Sequence, residues 1–98
     1  MDASKIIQTM KYLARVFTYK QCLASSRFTV GMSSDEEFRS LAPAVASKLR
    51  HASVVSVDSE KIVIEWDCFV VTIERIVKRR RELWVISTDL SDECPWDF

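Results

Sequence analysis

The sequence predicts an α+β fold, with two N-terminal helices packed on a three- to four-stranded antiparallel sheet. Three observations carry this. Residues 61–88, KIVIEWDCFVVTIERIVKRRRELWVIST, hold most of the β-branched and aromatic side chains, whose stiff χ1 rotamers suit a pleated surface. Near the start, Ile6, Ile7, Met10, Leu13, Ala14 and Phe17 recur at helical spacing. The helical patterns precede the strand patterns and do not alternate with them, which marks helices layered on one face of an antiparallel sheet.

The first helix has Asp2 or Ser4 as its N-cap and Lys5, Lys11, Arg15 and Lys20 on its polar side. A basic, acid-poor amphipathic start also fits a mitochondrial presequence or a membrane-surface helix; a core-packing helix with a solvated basic face is the simpler reading. Residues 25–34 hold the only glycine, Gly31, among four serines and Thr29, and form a connection in which Phe28 and Val30 can add a short strand. Ser33 and Ser34 each precede a glutamate by three residues, Glu36 and Glu37, and so form two overlapping capping boxes that announce a second helix. It presents Phe38, Leu41, Ala42, Val45, Ala46 and Leu49 to the core. Pro43 interrupts it, so a short helix ends near Ala42 or a new one restarts at Ser40 or Leu41.

Residues 52–58 alternate weakly as a strand, and 58–60 supply a turn. Ile62, Ile64 and Trp66 then alternate with Val63, Glu65 and Asp67. After Asp67 the apolar parity changes: Phe69, Val71 and Ile73 share a side with Arg75, which requires a bulge or tight turn at Asp67 and Cys68. Residues 83–88 read as a further strand. A helix over 67–82 competes, because Phe69, Val70, Ile73, Ile76 and Val77 also fall at helical spacing; residue type favours strands. Residues 78–82 contain no Gly, Asn or Pro, so the expected connection is longer or irregular and not a tight primed hairpin. The second sheet face also carries apolar residues, and a sheet apolar on both sides calls for a second cover such as a partner subunit.

Ninety-eight residues with 48% hydrophobic content make one small core. The expected division is a single domain over 1–88 and an acidic, aromatic tail over 89–98. One glycine excludes a phosphate-binding glycine loop. Fourteen basic and fourteen acidic residues give zero net charge, but residues 1–52 carry +4 and residues 53–98 carry −4, so any electrostatic partner meets a patch. Cys22, Cys68 and Cys94 are odd in number, lack a Cys-x-x-Cys spacing and read as buried free thiols in an intracellular setting, cytoplasmic or nuclear. No run reaches the length of a membrane span.

His51 is the only histidine, at a helix end, and nothing places it beside a nucleophile. The paired spacings of structural zinc sites are missing. No cofactor, metal or enzymatic activity is expected. Two binding readings remain. The first is a protein–protein interaction module or adaptor that self-associates or joins a larger assembly, with Trp84, Trp96 and Phe98 as partner-binding aromatics. The second is an RNA- or DNA-binding protein that uses Lys78, Arg79, Arg80 and Arg81, assisted by Lys11 and Arg15, with Trp84 near enough to stack on a base. A solvated loop balanced by Glu74, Glu82 and the tail would explain the same cations without function.

Overall fold

Apolar periodicity places the first helix, and the computed structural model, which describes residues 3–20 and 24–90, shows what it packs on. The elements run α1 (Ala3–Lys20), β1 (Ala24–Val30), α2 (Asp35–Arg39), α3 (Leu41–Lys48), β2 (Ala52–Val57), β3 (Lys61–Trp66), β4 (Phe69–Lys78) and β5 (Arg81–Leu90). The α+β layering is as expected. The sheet has five strands, one more than the upper expectation, because the segment around Phe28 and Val30 pairs in full with β5. Its order is β1-β5-β4-β3-β2, and every pairing is antiparallel.

The helical layer contains three helices. Ser34 caps α2 by accepting the Glu37 N–H at 3.2 Å, and the chain restarts as α3 at Leu41, with Pro43 in the first turn where its missing N–H costs nothing. Ser4 lies inside α1 and is not its cap; Asp2 lies outside the described residues. The helix over 67–82 does not form. Asp67 and Cys68 instead make a tight turn, with Asp67 at φ 56°, and this reverses the apolar parity between β3 and β4.

Two further expectations change. Lys78 pairs directly with Arg81, so a two-residue turn, Arg79-Arg80, closes the β4–β5 hairpin without glycine or asparagine; Arg79 takes the left-handed conformation at φ 49°. β5 also runs two residues past the expected boundary at Thr88, with Asp89 opposite Val70 and Leu90 opposite Phe69.

One sheet face meets the helices. Ile62, Ile64, Val71, Ile73, Trp84 and Ile86 share a core with Ile6, Met10 and Leu13 of α1, with Phe38 of α2, and with Ala42 and Val45 of α3. At one end Phe17 of α1 meets Phe69 edge to face, with ring centroids 5.9 Å apart, and half-buried Trp66 joins this smaller cluster to the main one. The opposite face is mixed and not uniformly apolar. Val63, Val70, Ile76, Leu83 and Val85 are half-buried there and alternate with exposed Arg27, Lys61, Glu65, Glu74 and Asp89. Lys61 stands directly across from Glu74. Antiparallel sheets commonly leave such a face to water.

Cys68 is buried and disulfide-bonded, so the expected free thiol is not present there. The inference from unpaired cysteines to a reducing compartment loses its support; Cys22 and Cys94 lie outside the described residues. No helix among the described residues is long and apolar enough to cross a membrane.

The core contains one polar misfit. The Thr88 hydroxyl, on the helix-facing side of β5, is buried without a hydrogen-bond partner among the described residues. Burying an unpaired hydroxyl costs on the order of 1–3 kcal/mol. Thr88→Val, which keeps the shape and removes the hydroxyl, should therefore raise stability by about 1 kcal/mol in urea denaturation; a lower midpoint would show that the hydroxyl is satisfied.

Candidate interaction surfaces

The meander from β2 to β5 leaves two sheet edges, and residue type treats them differently. Along β1, Ser25, Arg27 and Thr29 face the open side of the sheet and α1 packs against the strand. A charge and a covering helix are the usual protections of an edge. The other edge, β2, also has a helix against it, α3, but its sequence is ASVVSV: it has no charge and no proline, and Val54, Val55 and Val57 are 39%, 55% and 38% exposed. Val54 pairs with Ile64 and Ser56 with Val63, so Val55 is the extra residue of a β-bulge. Arg50 and His51 immediately precede this neutral strand and Asp58 immediately follows it. Asp58 Oδ1 accepts the Glu60 and Lys61 N–H groups at 2.8 and 2.7 Å, and these bonds hold its carboxyl below the ordinary range.

The second surface is the β4–β5 tip. Both strands are ten residues long against six for β3, and β1 stops at Val30 opposite Glu82, so the Lys78–Arg81 pair projects past its neighbours on both sides. All four cations are exposed, and none forms a salt bridge among the described residues.

Just beneath the tip lies a polar network that sequence reading missed. Glu82 is fully buried. Its Oε1 accepts from Arg75 Nε at 2.7 Å, and its Oε2 accepts from the Ser33 hydroxyl at 2.6 Å and from Trp84 Nε1 at 2.8 Å. Burial alone would push this carboxyl up, but the hydrogen bonds from Ser33, Arg75 and Trp84 override it and hold the carboxyl below its ordinary value. Arg75 also donates to Asp35 Oδ1 at 2.6 Å and to the backbone carbonyls of Ser33 and Ser59, and its guanidinium lies 5.9 Å from the centre of the Phe38 ring. The signal was Arg75 itself, a charged residue in phase with Phe69, Val71 and Ile73. With every member bonded, the network is a structural clamp that ties the loop before α2 to the hairpin root.

The expected site residues therefore separate. Lys78, Arg79, Arg80 and Arg81 stand together at the tip. Lys11 and Arg15 are exposed on α1 but do not join them: α1 begins beside Val30 and Trp84 and its Phe17 meets Phe69 at the other end of the sheet, so Lys11 lies midway along the helix and Arg15 toward the end away from the tip. Trp84 is buried, packs edge to face on Phe38 at 5.6 Å and spends its N–H on Glu82, so it offers neither a stacking face nor a partner anchor. Trp96 and Phe98 lie outside the described residues. The β2 valines were not anticipated, because an edge strand and a central strand of this composition look alike in sequence. No group of three or more His, Cys, Asp or Glu that could hold a metal occurs among the described residues.

No family model, curated protein or solved structure matches this chain.

Proposed function

We propose that this chain is a non-enzymatic protein–protein interaction module that associates with a second copy of itself through edge strand β2. The carrying observation is the uncharged edge: a strand without charge or proline that has three exposed valines and one unpaired row of backbone donors and acceptors. Strand addition satisfies such a row and uses the side chains for selectivity.

The flanking charges favour a second copy over an unrelated peptide. In a two-fold antiparallel pairing of β2 with β2, Arg50 and His51 of one copy meet Asp58 of the other, and this happens at both ends. The bulge at Val55 shortens the straight run available on either side. The contact is therefore small, with a dissociation constant on the order of micromolar.

Sedimentation velocity over a concentration series tests this. Wild type should pass from monomer to dimer, and Val55→Lys, which places two cations at the centre of the seam, should weaken dimerisation at least tenfold without lowering the unfolding midpoint. A monomer at several hundred micromolar would overturn the reading. A dimer indifferent to Val55→Lys would move the interface elsewhere.

A further inference from the structure

We infer that the β4–β5 hairpin tip is a binding element for the phosphate backbone of a nucleic-acid duplex, independent of the β2 edge, which lies on the far side of β3. As a piece of folding, this tip is poorly made. Lys78 and Arg81 are directly opposed, and like charges facing each other across an antiparallel pair are destabilising. Arg79 occupies the left-handed region that glycine or asparagine fills at little cost. A sequence that keeps four cations where one glycine would close the turn more easily retains them for a reason other than stability.

Among the described residues, the nearby acids do not neutralise the tip. Glu82, the adjacent carboxylate, is buried and bonded to Arg75, and Asp35 is bonded to the same guanidinium. Glu74 sits across from Lys61. Arg75 thus occupies the carboxylates that would otherwise fold back on the tip, and Lys78, Arg79, Arg80 and Arg81 carry their charge outward.

The shape selects the ligand. A two-stranded ribbon extending past its neighbours can enter the major groove of B-form duplex DNA, about 12 Å wide, with its terminal cations against phosphates on the groove walls, whereas the deep, narrow major groove of an RNA duplex does not admit it. Three of the four are arginines, whose planar fork binds phosphate oxygens in pairs. Single-stranded nucleic acid is the weaker fit, because its binding draws on aromatic stacking and Trp84, the nearest aromatic in sequence, is buried. An anionic membrane is also weaker: among the described residues the exposed apolar side chain next to the cations in sequence is Val77, little to anchor in a bilayer.

Fluorescence anisotropy with one labelled sequence as duplex DNA, duplex RNA and single strand, beside vesicles containing phosphatidylserine, decides the matter. Wild type should bind the DNA duplex in 50 mM salt, more tightly than the RNA duplex, and three to four phosphate contacts predict a loss of about 40- to 150-fold by 200 mM. The Arg79→Ala, Arg80→Ala, Arg81→Ala variant, which leaves Lys78, should lose most of that affinity and most of the salt slope, with an unfolding midpoint at or above that of wild type because Lys78 no longer faces a like charge. The triple lysine variant at the same positions should recover the slope. The inference is overturned by no duplex binding in 50 mM salt, by binding that the alanine variant retains, by tighter binding to the single strand, or by a response to vesicles alone.

Discussion

Glu82→Ala is expected to lower stability by about 3–5 kcal/mol, the loss typical when one partner of a buried ion pair is removed. Four donors lose their acceptor at once: Arg75 Nε, the Ser33 hydroxyl and backbone N–H, and Trp84 Nε1. The Arg75 side chain is only 10% exposed, so water replaces the lost partner poorly. Urea denaturation should show the midpoint fall, whereas Arg75→Met combined with Glu82→Leu, which removes both charges and leaves apolar volume, should retain more stability than Glu82→Ala alone. A loss below about 1 kcal/mol in Glu82→Ala would mean that the network is ornamental.

The same group gives the protein an acid limit with a definite sign. The folded-state pKa of Glu82 is lowered, so its carboxylate contributes stability in full above the unfolded value of about 4.3. That contribution is lost as the pH falls through the folded value. Wild type should therefore destabilise steeply below about pH 4, and Glu82→Gln should show a shallower acid limb. Identical acid profiles would place the titration elsewhere.

Phe38→Ala is the second large effect, expected at about 3–5 kcal/mol for a fully buried aromatic. α2 has five residues, too few to be stable alone, and Phe38 is its one buried side chain. The ring packs edge to face on Trp84 and lies beneath the Arg75 guanidinium, so its removal opens a cavity beside the Glu82 network. Phe38→Leu, which keeps much of the volume, should cost about 1.5 kcal/mol or less. Because both positions touch Arg75 and Trp84, the Phe38→Ala and Glu82→Ala losses should not add; a double variant whose loss equals their sum would show the two to be uncoupled.

What the sequence disclosed follows from the range of the forces involved. α1 was legible because its helical period is local, and all six residues expected on its core face are buried or half-buried there. The restart at Leu41 was legible because proline's constraint is local too. The parity change at Asp67 settled β3 and β4 once the residue types favoured strands. β1 was only half visible, because its pairing with β5 spans more than fifty residues of chain and leaves no periodic trace in seven. The two-residue turn at Arg79 was missed because the turn chemistry there is unfavourable, and the ladder on either side imposes it. Trp84 was misplaced because an indole looks equally suited to a surface or a core until its N–H finds Glu82. Whether β2 is an edge depends on which strand lies beyond it, and that is topology, which residue composition does not encode.

The strand order also dictates when the sheet can be completed. β2, β3, β4 and β5 join through successive hairpins, so each finds its neighbour soon after it is made, with loops of a few residues to close. Among the described residues β1 has only β5 beside it, and β5 is the last of the described strands. During synthesis the first thirty residues, with the apolar stripe of α1, wait until residues 82–88 have emerged before they have a strand to join. The pairing of β1 with β5 is thus a closure of high contact order in an otherwise local sheet, the kind of contact that slows folding.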